Sequence, residues 1–350
     1  MTASSVGPLA FSVRAERWPL SRPFRISRGV KTAADVTVVE LHARDRSLAG
    51  RGESVPYARY GETVASVTDQ LESLRASLED GAVSREALHR YLPAGAARNA
   101  LDCALWDLEA QLSMRSVTAM LGQPAIAPMT NAVTIGLDEP GAMAEAARVA
   151  GSAALLKIKV DARDPARQIQ AVRAACPLSE VIVDPNESWT AALLREMQPV
   201  LVANRVALLE QPLPAGDDLL MDGFVSAVPI CADESCHTAA DLPRLVGHYQ
   251  YVNIKLDKTG GLTAALELLH EARTQGFGIM AGCMICTSLS IAPALHIARH
   301  ARFVDLDGPF WLTRDRAGGV EYSGAQVLPP RRGFWGEPHD QALWAGDPAC

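Results

Sequence analysis

Five short apolar runs in this chain carry, or end on, charged residues suited to proton chemistry. Leu155-Leu-Lys-Ile-Lys159 sets Lys157 and Lys159 two residues apart, on one face of an extended strand. Val181-Ile-Val-Asp184, Ala207-Leu-Leu-Glu210 and Ile230-Cys-Ala-Asp233 each close on a carboxylate, and Val252-Asn-Ile-Lys255 closes on a lysine. A charge at the end of a buried strand is costly unless it is paired or binds a metal. Three acids converging on one point repel each other, and a hard cation such as Mg²⁺ resolves that repulsion. A proton next to a carboxylate is weakly acidic, because its loss leaves two negative charges on one enediolate; a bound cation stabilises that charge as it develops. The base must be neutral near working pH, so a lysine serving as base needs its pKa lowered by cations or desolvation. Lysines on opposite sides of such a site suit a racemase or epimerase, one removing a proton and the other returning it.

Positioning these groups requires a repeated scaffold. Short β-rich runs centre near Val133, Lys157, Ile182, Leu208, Cys231, Asn253, Ile279 and Val304, roughly 22–26 residues apart, with helical stretches between most of them. That period predicts an α/β fold with a (β/α)-barrel, whose functional groups sit at the C-terminal strand ends. Ahead of it, Phe11 to Leu20, Val36 to Ala43 and Leu48 to Val55 alternate like an antiparallel meander. Helical stretches at Val64 to Leu78, Ser84 to Tyr91 and Ala96 to Leu112 complete an α+β unit. The expected division is an N-terminal α+β capping domain over 1–122, a barrel over 123–315, and a segment over 316–350 packing back on the capping domain.

Length and composition agree with a globular enzyme: 350 residues, 48% hydrophobic, net charge -7 with mixed signs. That balance argues against nucleic acid, which asks for a concentrated basic surface, and leaves a small-molecule substrate. Met1 to Leu20 holds no apolar core, so no secretory signal is expected there, and the apolar stretch Ala281 to Ala298 reads as strand, polar turn and helix rather than a membrane span. Seven cysteines suit a reducing cytoplasm, with Cys283 and Cys286 read as small buried residues at a strand end. A homo-oligomer is left open.

Lys157-Ile-Lys159, Asp184-Pro-Asn186, Glu210-Gln-Pro212, Ala232-Asp-Glu-Ser235 and Asn253-Ile-Lys-Leu-Asp-Lys-Thr-Gly-Gly261 together resemble the muconate-lactonizing subgroup of the enolase superfamily. The resemblance spans essentially the whole chain, including the glycine-containing loop Gly52-Glu-Ser-Val-Pro56. Gly282-Cys-Met-Ile-Cys-Thr-Ser288 and Val304-Asp-Leu-Asp-Gly-Pro309 narrow it to the dipeptide epimerases, those acting on L-Ala-D/L-Glu. It implies one Mg²⁺ held by Asp184, Glu210 and Asp233, with Lys159 and Lys255 as the acid/base pair, Lys157 assisting and Asn186 orienting the metal shell. Lys258 is a rival to Lys255, and Pro185 stands where the family often has alanine. Asp305 and Asp307 would meet a dipeptide's ammonium, unless Arg302 and Arg314 tie them up. Arg28, in a capping loop, would meet a side-chain carboxylate, with Tyr57, Arg59 and Tyr60 beside it. Thr134, Cys283 and Met284 would line the substrate. The implied function is epimerisation in murein peptide recycling. N-acylamino acid racemase, o-succinylbenzoate synthase and muconate cycloisomerase chemistry share the same core groups.

Overall fold

Alternating apolar residues form an antiparallel sheet of β1 (Leu9–Ile26), β2 (Gly29–Ala43) and β3 (Ala49–Ser54), in that order. The computed structural model describes residues 7–43, 48–151 and 153–338. β1 and β2 form a longer hairpin than the sequence suggests. Its distal part carries mostly exposed side chains, so no apolar alternation marks it. The ladder slips between Pro19 and Phe24, where Pro19 and Pro23 lack the N–H that a regular register needs.

The first expected helix is two, Val64–Glu72 and Arg75–Glu79; the second is a 3₁₀ helix, Arg85–Arg90; the third is Ala96–Ser113. This last helix lies directly on β3. Gly52 is therefore a strand residue and not part of a loop: a Cβ there would stand 2.0 Å from the Ala100 carbonyl oxygen, inside contact distance.

β4 (Met129–Thr130) leads into eight parallel strands: β5 (Val133–Ile135), β6 (Leu155–Lys159), β7 (Glu180–Asp184), β8 (Val206–Glu210), β9 (Ile230–Ala232), β10 (Tyr251–Ile254), β11 (Gly278–Gly282) and β12 (Phe303–Asp305). All eight fall where the spacing puts them. The Ala132 N–H donates to the Val304 carbonyl at 2.7 Å, tying the two ends of the sheet into a ring. Full helices link most strands, but β8 to β9 is joined by the short turn Asp218–Met221, and β9 to β10 by the short turns Ala239–Asp241 and Leu242–Leu245. The run from Ala281 to Ala298 is the end of β11, a turn and the helix Ser288–Ala298, and no described helix is long and apolar enough to cross a membrane. β13 (Glu321–Ser323) and β14 (Gln326–Leu328) pair back onto β4. Beyond them the chain reaches the first sheet and the helix on it, where Arg51 Nη2 donates to the Phe334 carbonyl at 2.8 Å and the Gly336 N–H to Asp107 Oδ1 at 2.7 Å. Residues 339–350 of the expected C-terminal segment lie outside the described residues.

Side-chain alternation stratifies the barrel interior. Ala132, Leu155, Ile182, Leu208, Cys231, Met280 and Phe303 pack together as an apolar floor. Two residues further along those strands the inward positions become Thr134, Lys157, Asp184, Glu210, Asp233, Gly282 and Asp305. Leu156, Ile158, Val181, Val183, Leu209 and Ile254 belong to the larger core outside the ring.

Gly52→Ala is expected to destabilise the chain by about 3 kcal/mol, because helix and strand must move apart to admit one methyl group. Urea unfolding measures it; a change under about 0.5 kcal/mol would mean that the contact is not tight.

Candidate active site

Asp184, Glu210 and Asp233 are each no more than 1% exposed, and Lys157, Lys159 and Lys255 are nearly as buried. Lys157 Nζ lies 2.7 Å from Asp305 Oδ2, 2.7 Å from Glu210 Oε2 and 3.2 Å from Asp184 Oδ2. Lys159 Nζ lies 2.5 Å from Asp184 Oδ2, and Lys255 Nζ 2.6 Å from Asp233 Oδ2. β6 and β10 are four positions apart in a ring of eight, so Lys159 and Lys255 approach from opposite walls. Lys258 is not an equivalent of Lys255. It turns under the strand end and donates to Asp233 Oδ1 and to the Asp233 and Asn253 carbonyls, away from the main cavity.

The electrostatics follow from burial. Desolvation raises the Asp184 carboxyl, but Lys159 and Lys157 more than offset it and hold it low. Asp233 is held well below the usual range, because Lys255 and Lys258 outweigh its burial. Glu210 goes the other way: burial and the charge of Asp184 push it up despite Lys157. Burial pulls Lys157 and Lys255 down, yet Asp305 and Glu210 on the one and Asp233 on the other raise them above an ordinary lysine.

Among the described residues no three Asp, Glu, His or Cys side chains stand together as a ready-made metal cage, since each acid leans on a lysine. The donor chemistry nevertheless fits a hard cation. Glu210 Oε2, Asn186 Oδ1 and Asn253 Oδ1 are buried oxygens that receive no directed hydrogen bond, even though Lys157 lies close to the first. Asn253 Nδ2 donates to Glu210 Oε1 at 2.8 Å, and Asn186 Nδ2 to Asp184 Oδ2 at 3.1 Å, so both amides orient the acids. Asn186, Glu187 and Gln211 take left-handed backbone conformations just after Asp184 and Glu210, a cost tolerated where neighbours fix the turn. Gln211 supplies that fixing: its Oε1 accepts from the Asp233 and Ser235 N–H groups.

Above this layer opens a cavity of about 500 Å³, lined by Lys157, Lys159, Lys255, Thr134, Asn186, Cys283, Met284, Asp305 and Asp307 from the barrel, and by Arg28, Lys31, Tyr57, Arg59 and Tyr60 from the capping domain. Every substrate-lining residue expected from sequence is therefore on one wall or another. The Asp305/Asp307 pair is not tied up by arginines: Arg302 pairs with Glu180, and Arg314 lies over the Trp18 ring. Asp307 Oδ2 instead accepts from the Thr134 N–H at 2.9 Å, and burial with the nearby Asp305 charge pushes its carboxyl up. Arg28 sits at the hairpin tip between β1 and β2, where Glu234 Oε1 at 2.7 Å and Glu187 Oε2 at 3.0 Å already meet its charge. Glu187, Glu234, Asn253 and Lys31 escaped the sequence reading. The signal for Glu234 was available: strand β9 ends at Ala232, so the residue after Asp233 turns over the mouth rather than away from it.

Residues 141–332 match the enolase C-terminal domain-like family, and residues 9–122 match the mandelate racemase/muconate lactonizing enzyme N-terminal domain. The chain belongs to the enolase superfamily. It is 47% identical over 314 residues to an L-Ala-D/L-Glu epimerase of Escherichia coli K12, covering 89% of this chain and 97% of that one. It is 46% identical over 300 residues to an N-acetyl-D-glutamate racemase of a Pseudoalteromonas species, covering 85% and 94%. Among solved structures, an enolase family member from Agrobacterium tumefaciens with homology to dipeptide epimerases, holding sodium and L-Ala-L-Glu, superposes with a TM-score of 0.90 at 44% identity, covering 94% of this chain and all of that one. A dipeptide epimerase from Enterococcus faecalis, complexed with Mg and L-Leu-L-Tyr, gives 0.85 at 29% identity, covering 94% and 99%. With racemases and epimerases as relatives, this chain of the superfamily is an enzyme of the isomerase class.

Lys157→Met removes the cation shared by Asp184, Glu210 and Asp305 and is expected to cost about 3–5 kcal/mol of stability. Denaturant titration at neutral pH checks this; a loss under about 1 kcal/mol would show that these acids do not depend on Lys157.

Proposed function

We propose that this isomerase is a dipeptide epimerase that inverts the α-carbon of the C-terminal residue, with L-Ala-D/L-Glu as its reference substrate. The observation that carries the proposal is the pair Lys159 and Lys255, facing each other across one cavity above a floor of carboxylates. The substrate's α-carbon lies between them. One lysine takes the α-proton from one face, and the other delivers a proton to the opposite face of the planar carbon. Asp184, Glu210 and Asp233 would hold Mg²⁺, with Asn186 and Asn253 fixing the acids. Bound there, the ion supplies positive charge to the substrate carboxylate as the α-proton leaves and draws the field of the three acids away from the lysines. Lys157, between that layer and Asp305, holds the carboxylate end of the substrate apart from the ammonium end.

The N-terminal ammonium is read by Asp305 and Asp307. Asp307 is anchored by Thr134, and a cation beside it stabilises a carboxylate that burial otherwise disfavours. Such a peptide is a fragment of murein, and from it we infer a role in murein peptide recycling in the cytoplasm.

The second reading is racemisation of an N-acylated glutamate, favoured by the relative of that specificity at 46% identity. The two readings differ at the amine, since an acylated nitrogen carries no charge. Asp307→Asn should therefore lower kcat/KM for L-Ala-L-Glu by about 100-fold while changing that for N-acetyl-L-glutamate less than about threefold. The opposite pattern, or wild-type enzyme preferring the N-acetyl compound, would make this the racemase. Lys159→Ala and Lys255→Ala should each stop epimerisation, and full turnover in either variant rules out the two-base scheme. Stripping divalent metal with a chelator should abolish turnover, and Mg²⁺ should restore it; activity that survives complete removal contradicts the metal site.

A further inference from the structure

Arg28 has five N–H donors, as every guanidinium does, and four are already spoken for. Nη1 donates to the Asn186 carbonyl and to Glu187 Oε2, both at 3.0 Å; Nη2 donates to Glu234 Oε1 at 2.7 Å and to the Tyr57 hydroxyl at 3.2 Å. Arg59 is held equally firmly, with Nε and Nη2 on the two oxygens of Glu187 at 2.8 and 2.7 Å. Two guanidiniums against two carboxylates leave this rim neutral. The network clasps the hairpin tip to the barrel and offers little to a ligand.

Lys31 differs. It lines the same cavity from β2, opposite Phe24 in the ladder, and is partly buried. Its Nζ lies 4.9 Å from the centroid of the Tyr57 ring. Among the described residues it is the one cavity-lining cation with neither an ion pair nor a side-chain hydrogen bond. An ammonium half withdrawn from water over an aromatic face is stabilised only in part by that ring, and gains more from an anion.

We propose that Lys31, and not Arg28, recognises the side-chain carboxylate of the substrate and so sets the preference for an acidic C-terminal residue. Arg28 is then a positioning residue that latches the hairpin over the mouth. This rests on the reading that a glutamyl derivative is the substrate. It holds for either version of that reading, because L-Ala-Glu and N-acetylglutamate share the glutamate side chain.

The test compares steady-state constants for L-Ala-L-Glu, L-Ala-L-Gln and L-Ala-L-Met. Lys31→Met should raise KM for L-Ala-L-Glu by about 20-fold or more, with kcat within about threefold, and leave the two neutral dipeptides unchanged. Lys31→Arg should restore most of the preference. Arg28→Met should weaken all three substrates by similar factors. An unchanged Glu-to-Gln ratio in Lys31→Met, or a ratio that collapses only in Arg28→Met, overturns the assignment. Wild-type enzyme inactive on both L-Ala-L-Glu and N-acetylglutamate overturns the glutamyl reading, and the assignment with it.

Discussion

Four carboxylates, Asp184, Glu210, Asp233 and Asp305, lie in the mouth of an apolar barrel, and their charge governs almost everything around them. Taking an ion out of water costs several kcal/mol even after relaxation, so each acid must find a cation close by. Lys157, Lys159, Lys255 and Lys258 provide the four. This pairing explains why the lysines stand on the strands flanking the acids, why Lys258 is folded beneath Asp233, and why Lys157 and Lys255 bind their protons so firmly. The same pairing makes the site responsive. A divalent cation or a substrate ammonium that engages the acids changes the balance on every lysine at once.

The floor beneath is what keeps this layer in register. Seven apolar side chains fill the ring, so the polar side chains two residues above them have no room to sink. Gly282 contributes by absence: a Cβ there would fall 2.7 Å from Asn253 Oδ1 and 3.0 Å from Lys255 Cε. The capping domain is tied on by buried polar groups as well as by apolar packing, in which Trp18, Val38 and Val55 join the barrel's outer core. Glu53 Oε1 accepts from the Thr287 N–H at 2.8 Å and its Oε2 from Arg316, while Asp257 accepts from Val55 N–H and Asn99. Such bonds tolerate little displacement, so the hairpin tip arrives over the barrel mouth in one place.

The barrel and its charged layer were readable in the chain because both are local in sequence. A strand that ends on a carboxylate announces itself, and eight repeats at one spacing leave few alternatives. What the sequence concealed depends on distant pairing. Nothing near Arg28 reveals that Glu187 and Glu234, more than 150 residues away, occupy its guanidinium. Lys31 carries no signal of its own, since a lysine beside a turn is ordinarily a solvated charge. The setting of Lys157 was hidden in the same way, because the acids that raise its pKa stand on other strands. The extended hairpin, too, was hidden, because strands that cover a cavity mouth do not alternate like strands that cover a core.

Deuterium incorporation tests the central claim, that two opposed lysines exchange protons with one carbon, most directly. The chain with Mg²⁺ and L-Ala-L-Glu in D₂O, followed by proton NMR, should lose the glutamate α-proton while L-Ala-D-Glu appears already deuterated there. Product that retains the original α-proton would contradict the two-base account. So would a substrate left unchanged by folded, metal-loaded protein.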